Sequence, residues 1–545
     1  MITQKLLNYF NGDELAANVW LSKYAQEGDE TPDDMHRRMA KEFARIEEKY
    51  QKIKCQGNTP NIEWNALSHY GRHRDELDEN SIYELFKNFK YIVPQGSIMS
   101  ILGTGMIGSL SNCYVVPSPL DSYGGIFKTD QELAQLMKRR AGVGTSLDSL
   151  RPGGAIVNNV AKTSTGADSF MPRYSNTTRE VAQEGRRGAL MLLMSCNHPS
   201  IFKFVTKKKD RTQVTGANIS VMFTDEFMKS VKADEDFICS FPTYLSLNSI
   251  YSIIESDCGI DNIKFNELHK VRNTVTEESC KYIYVMKIKA KELWELVVEM
   301  AWENAEPGIA FIDKIHNYSP ESVYEFFKAI ACNPCGEQWL NAYDSCRLFA
   351  LNLYNIVENA FAQNTEINYD LLYKIAYEQQ RLADDLIDLE LERIEAIINK
   401  IKLDSEPDDI KKVELSMWES IYKVCKAGRR TGCGITALGD MLAALRLEYD
   451  SEEALKVVDK VMKTKMEAEL DCTIDLAILR GTFEGWDRDL EYSDNKDDVT
   501  LGNNDFYKML QAKFPNQYLR MYQYGRRNVS WSTVAPTGTV NKFAA

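Results

Sequence analysis

The rhythm of apolar and polar positions changes near Tyr91. Residues 1 to about 90 read as a polar, helical region. Within it, Thr31-Pro32-Asp33-Asp34 predicts a helix start, because Thr31 can cap and Pro32 suits the first turn. From Tyr91 onward, strand-like and helical segments alternate. Tyr114-Val115-Val116 and Ala189-Leu190-Met191-Leu192-Leu193-Met194 are short apolar runs of buried-strand type. Thr129-Asp130-Gln131-Glu132 has the form of a capping box. Leu133, Leu136 and Met137 then recur at helical spacing, and Gly142 is placed to end that helix. Arg151 to Ser164 is a Gly- and Asn-rich loop. A long amphipathic helix is predicted from about Tyr377 to Lys402, with Leu382, Leu386, Leu389 and Ile394 on neighbouring faces, and Asp404 to Asp409 breaks it. This alternation predicts an α/β fold. Residues 241–280 carry no motif, and the chain has no internal repeat or low-complexity tract.

Composition narrows the function classes. The 545 residues are 44% hydrophobic and 26% charged, enough for a sizeable core in one large domain with a helical addition. The net charge of −14, from 65 basic and 79 acidic side chains, argues against general nucleic-acid binding. No apolar run has the length of a membrane span, and Met1-Ile2-Thr3-Gln4-Lys5 does not lead into a signal-peptide core, so a cytoplasmic location is expected. Twelve cysteines are too sparse for a disulfide scaffold. They are expected as thiols, with any disulfide transient and catalytic.

Asn333-Pro334-Cys335-Gly336-Glu337 concentrates the chemistry. Pro334 and Gly336 predict a tight loop that can turn a carboxamide, a thiol and a carboxylate toward one ligand. Cys346 follows Cys335 by eleven residues, and Cys113 lies far upstream in Ser111-Asn112-Cys113-Tyr114. Two further thiols able to meet one reaction centre suggest redox chemistry. Each cysteine alone reads equally well as a small buried hydrophobe. Cys332 and Cys335 form a Cys-x2-Cys pair, but no second pair of matching spacing completes a zinc site, so no metal site is expected. Pro536-Thr537-Gly538-Thr539 offers hydroxyls and backbone N–H groups to a phosphate, although in isolation it reads as a turn.

Taken together, these segments resemble the ribonucleotide reductase large subunit. Asn333 to Glu337, with Ser345-Cys346 and Leu351-Asn352-Leu353 after it, is similar to that family's active-site finger loop. Ser111-Asn112-Cys113, Gly185-Arg186-Arg187-Gly188-Ala189, Thr215 to Ser220, Glu306-Pro307-Gly308-Ile309 and Ala535 to Thr539 resemble further family segments, in the family's order. The resemblance implies a ten-stranded α/β barrel of two five-stranded halves over residues 91–545, preceded by the helical region 1–90. It also implies reduction of ribonucleoside diphosphates to deoxyribonucleotides for DNA synthesis. Cys335 would carry the thiyl radical, Glu337 would act as general base and Asn333 would orient the ribose hydroxyls. Cys113 and Cys346 would face the 2′ side and end as a disulfide. Ser111, Asn112, Pro536, Thr537, Gly538 and Thr539 would bind substrate; Ser109 is a weaker candidate for the same role.

By the same resemblance, Asp121, Ser122, Arg151, Arg186 and Arg187 would bind a dNTP or ATP effector. Residues 152–164 and 183–188 would be the loops that transmit its identity. The helix after Thr129 would lie at a homodimer interface. A thioredoxin- or glutaredoxin-type reductant is the implied partner. The Gly-Arg-Arg-Gly-Ala-Leu-Met form of residues 185–191 and the Cys335–Cys346 spacing look more like the adenosylcobalamin-dependent branch. A large subunit that takes its radical from a separate metal subunit remains the alternative, as does an inactive nucleotide-binding fragment of a split reductase. A glycyl-radical enzyme shares a similar barrel and a loop cysteine, but would leave the effector motifs unexplained. The family continues beyond its phosphate loop to a tail cysteine pair, and here no Cys follows Cys472. The expectation is a barrel incomplete at its C-terminus and completed by a second polypeptide.

Overall fold

A computed structural model describes residues 2–55, 64–183, 186–275, 280–492 and 504–543, with the backbone alone at 53–55, 182–183 and 186–187. The fold is mixed α/β and divides into two compact units.

The first unit comprises Met1–Cys113, Ser319–Lys328 and Tyr343–Ala545. Its backbone is the 35-residue helix Tyr369–Leu403, which packs against Pro32–Cys55, Asp408–Gly428 and Glu452–Arg480. Strand Leu348–Asn352 pairs antiparallel with Ile92–Pro94 and parallel with Gly432–Thr436. Trp20, Phe43, Phe86, Phe349, Tyr377 and Leu386 join one continuous core, so the N-terminal helices share the apolar interior of the strands. The helix begins earlier than its stripe of leucines suggests, because Asn368 caps it by accepting the Leu371 N–H. Its buried length also carries ions: Glu47 meets Arg381 at 2.7 Å and Arg480 at 2.9 Å, and Asp384 meets Arg429 at 2.8 Å. The guanidinium groups around Asp384 hold its carboxyl far below the usual range, against the burial that would raise it.

The second unit comprises Tyr114–Tyr318 and Ala329–Ala342. It holds five neighbouring strands, in the order Gly308–Phe311, Asn218–Phe223, Ala189–Ser195, Gly142–Ser146 and the Tyr114–Val115 end of Cys113–Val115. The recorded pairings are parallel, with Met191 opposite Gly144, Ser220 opposite Leu193 and Ile309 opposite Val221. Helices intervene between successive strands, which is why the run from Leu190 to Met194 is buried on both faces. Residues 236–289 make a separate antiparallel sheet, Asp236–Phe241, Tyr282–Lys289 and His269–Arg272, packed on helix Leu247–Asp257. Among the described residues the pairings do not draw a closed ring of ten strands.

Three local expectations change. Thr129 to Glu132 do not open a helix: they lie inside Tyr123–Met137, which Ser122 caps through the Gly125 N–H. Asp130 instead accepts the Thr177 hydroxyl at 2.5 Å and pairs with Arg173 at 2.8 Å. Arg140, at φ 72°, takes the left-handed turn after that helix, and Gly142 begins a strand. Helix Pro32–Cys55 starts where expected, but the cap runs in reverse: Asp34 accepts the Thr31 N–H at 2.9 Å and its hydroxyl at 3.3 Å. No described helix is long and apolar enough to cross a membrane.

Candidate active site

In the second unit, residues 331–340 form a hairpin. Ala331 pairs with Leu340 and Cys332 with Trp339. The tip is closed by the Gly336 N–H on the Asn333 carbonyl at 3.0 Å. Gly336 takes φ 80°, a conformation that a side chain would strain. The hairpin lies against strand Gly142–Ser146 so closely that a Cβ on Gly144 would sit 1.8 Å from the Cys332 carbonyl oxygen. Asn218 supports the tip from the next layer, its side-chain amide donating to the Pro334 carbonyl at 3.2 Å.

Three groups thereby reach fixed positions. Asn333 is fully buried. Its amide oxygen accepts the Gln338 N–H at 3.1 Å, and its Nδ2 donates to Glu337 Oε2 at 2.7 Å. Burial pushes the Glu337 carboxyl up from its ordinary value, and the Asn333 hydrogen bond pulls it partly back. Cys335 is exposed at the tip, whereas Cys332 is buried in the strand. Among the described residues no group of three or more His, Cys, Asp or Glu is placed to hold a metal ion. A cleft of about 310 Å³ in the same unit is lined by Thr178, Arg179, Lys208, Thr215 and Asn218, among others. Lys208 is ion-paired to Glu306, which also accepts the Ile219 N–H at 3.3 Å.

In the first unit, half-buried Cys113 packs against a buried cluster of Cys346, Leu348 and Ala535. The Asn112 N–H donates to the Cys346 carbonyl at 3.3 Å. Asn112 Oδ1 accepts the Ser97 N–H at 3.0 Å, while its buried Nδ2 has no protein partner. Ser111 is fully buried and its hydroxyl is engaged by Glu390 at 3.0 Å. Ser109 donates to the same carboxylate at 2.6 Å. Pro536 and Gly538 are exposed directly after Ala535, and the Thr537 carbonyl accepts the Asn541 N–H at 3.0 Å. Thr539 hydrogen-bonds the Tyr24 hydroxyl. The phosphate-loop candidate thus adjoins the cluster that holds Cys346 and receives Cys113.

A second cavity, of about 300 Å³, lies wholly within the second unit. Asp121, Ser122, Tyr123 and Phe170 line it together with Arg151, Asn158 and Asn159 of the loop. Arg151 donates through Nε to Asp121 Oδ2 at 2.7 Å and through Nη1 to the Ile156 carbonyl at 3.0 Å. The Ile156 N–H donates to the Tyr284 hydroxyl at 2.9 Å, so the small antiparallel sheet holds the cavity loop. Arg186 and Arg187 lie in a short strand whose side chains are outside the described residues.

A finger-like hairpin with an exposed thiol beside a paired amide and carboxylate, in an α/β frame, can be matched with known families. The family model "Ribonucleotide reductase, barrel domain" matches residues 111–544. The chain belongs to the ribonucleotide reductase family. It is 29% identical to a vitamin B12-dependent ribonucleoside-diphosphate reductase of Thermoplasma acidophilum, over 83% of this chain and 46% of that protein. A protein of the same description from Mycobacterium tuberculosis is 27% identical over 84% of this chain and 52% of its own length. The large subunit from variola virus is 24% identical over 69% and 44% respectively. The chain spans about half the length of the curated relatives it matches. Its fold is similar to that of the Actinobacillus ureae class Id ribonucleotide reductase alpha subunit, with TM-score 0.63 and 16% identity, over 98% of this chain and 74% of that one.

Sequence reasoning missed Asn218, Tyr284, Arg347 and Glu390 as supports of these reductase-family segments. Glu390 had a readable signal: it stands four residues after Leu386 on an apolar helix face, where an unpaired carboxylate would be costly. Tyr284 had none, since its partner lies in a loop 128 residues away.

Proposed function

We propose that the chain is the catalytic part of a ribonucleoside-diphosphate reductase whose strands belong to a ten-stranded α/β barrel. The observation that carries this reading is the hairpin tip: Cys335 exposed, beside an Asn333–Glu337 pair at 2.7 Å, in a chain of this family. A ribose 2′-hydroxyl is a poor leaving group on an unactivated carbon, and a radical at C3′ makes its departure feasible. The Cys335 thiyl removes the 3′ hydrogen and returns it at the end. Glu337 accepts the 3′-hydroxyl proton, a role suited by a carboxyl whose basicity burial increases. Asn333 holds Glu337 and the ribose hydroxyls in orientation. Cys113 and Cys346 give up two electrons and two protons and become a disulfide; one proton leaves with the 2′-hydroxyl as water, and the other, with the two electrons, forms the new C–H bond at C2′.

Asn112 Nδ2 is a buried donor left for the nucleotide. Pro536 to Thr539 hold its phosphates. The cavity between Asp121, Ser122 and Arg151 takes a dNTP or ATP effector, with residues 152–164 and 183–188 as the responding loops. Exposed Leu120, Tyr123 and Phe127 beside that cavity form a homodimer face.

The B12-dependent relatives point to adenosylcobalamin as radical source. The exposure of Cys335 fits a cofactor that docks from outside the hairpin. When bound, the cofactor supplies the radical that converts the Cys335 thiol into a thiyl. The test is reduction of ribonucleoside diphosphates by the chain with a dithiol, with and without adenosylcobalamin. Cobalamin-dependent deoxynucleotide formation is expected. Formation only when a metal-containing radical subunit is added would transfer the chain to that branch, and none under either condition would remove the assignment of this chain as a catalytic part.

A further inference from the structure

Glu390 and Arg347 clamp the two segments that carry Cys113 and Cys346. Glu390 is fully buried on helix Tyr369–Leu403. One carboxylate oxygen accepts the hydroxyls of Ser109 at 2.6 Å and Ser111 at 3.0 Å. The other accepts the Leu110 N–H at 2.7 Å. The stretch leading into Cys113 is therefore held at three consecutive residues by one side chain. Arg347, also fully buried, follows Cys346 directly. Its Nη1 donates to Ser345 Oγ at 2.8 Å and to Ser111 Oγ at 3.3 Å. The hydroxyls of Ser111 and Ser345 stand 3.4 Å apart. An unbroken chain of polar contacts, Glu390–Ser111–Ser345–Arg347, thus ties one cysteine segment to the other.

Burying a carboxylate and a guanidinium is costly, and the cost is offset only when their hydrogen-bonding groups are engaged. Here the engaged groups are those whose displacement would separate the thiols. A disulfide forms only when two sulfurs meet within a narrow geometry. We infer that Glu390 and Arg347 are positioning residues that set the effective concentration of one thiol at the other, and hence the redox balance of the Cys113–Cys346 pair. This rests on the proposed function, in which that pair is the electron donor.

The test is thiol–disulfide equilibrium of the full chain against reduced and oxidised glutathione. In it both S–H bonds break, one S–S bond forms and glutathione disulfide is reduced to two thiols. The readout is the Cys113–Cys346 disulfide, identified by mass mapping. Glu390→Ala is expected to lower the effective concentration at least tenfold, a shift of about 30 mV for a two-electron couple. Glu390→Gln, which keeps one accepting oxygen, should recover part of that loss. Ser345→Ala, a milder cut in the same chain, should shift the equilibrium in the same direction if Glu390→Ala does not fold. An unchanged equilibrium in folded Glu390→Ala, or in Ser345→Ala where that variant alone folds, would overturn the clamp. Absence of any Cys113–Cys346 disulfide in the unmutated chain would instead overturn the electron-donor assignment, and the clamp's purpose with it.

Discussion

At the scale of single residues, the site is a matter of what each polar head is already doing. Glu337 is half-buried and accepts a hydrogen bond from the Asn333 side-chain amide, whose oxygen in turn accepts the Gln338 N–H. Burial raises the carboxyl, so its base form is lost at a higher pH than for a glutamate in water. The acid limb of turnover should therefore lie above the usual glutamate range. Asn333→Ala removes the interaction that lowers Glu337, so it should move that limb further up in addition to reducing the rate. A pH–rate profile of both proteins checks this, and identical acid limbs would deny Glu337 the role of base. Glu337→Gln should cost about 10²–10⁴-fold in turnover, the usual contribution of a positioned general base.

At the scale of elements, the cavity loop and the hairpin show how supports act from a distance. Tyr284 accepts the Ile156 N–H, and the Ile156 carbonyl in turn accepts Arg151. Tyr284→Phe deletes one hydrogen bond worth about 0.5–1.5 kcal/mol. It should weaken dNTP binding by roughly twofold to tenfold, measurable by titration calorimetry, with no change in helix content. The tight loop at the hairpin tip was legible in the sequence because Pro334 and Gly336 leave few backbones open. The central helix was legible from its leucines, although its start at Tyr369 was not. The capping signal at Thr129 failed because it was weighed alone. Ser122 caps about two turns earlier, and Asp130 is drawn to Thr177 and Arg173 on the following helix. Pairings such as Ala331 with Leu340, and clamps such as Glu390 on Ser109, depend on which distant segments meet. Local periodicity does not carry that information.

At the scale of the whole molecule, the first unit carries a network of buried ion pairs. The Arg480 side chain is 2% exposed and meets Glu47, Asp384 and Asp385 at 2.9, 3.1 and 2.7 Å. Arg480→Met would leave those carboxylates under-compensated and should cost about 3–5 kcal/mol, read from denaturant unfolding. His36 adds a pH term. It is fully buried against Phe89, with neither ring nitrogen hydrogen-bonded, and burial lowers its pKa to about 3. The unfolded chain binds that proton near pH 6.5 and the folded one does not, so stability present above about 6.5 is lost as pH falls toward 3. His36→Phe should lose less stability than the unmutated chain between pH 7 and 4.5, and an equal loss in both would remove His36 as a cause. The proposed function rests on one atom, the Cys335 sulfur. The most direct measurement is deoxynucleotide formation from a ribonucleoside diphosphate carrying deuterium at C3′, comparing the unmutated chain with Cys335→Ser in the presence of the radical source and a dithiol. The account requires the first to form product more slowly than from the unlabelled substrate and to keep the deuterium at C3′, and the second to form none while it still binds the nucleotide. Deoxynucleotide formation by Cys335→Ser would contradict it.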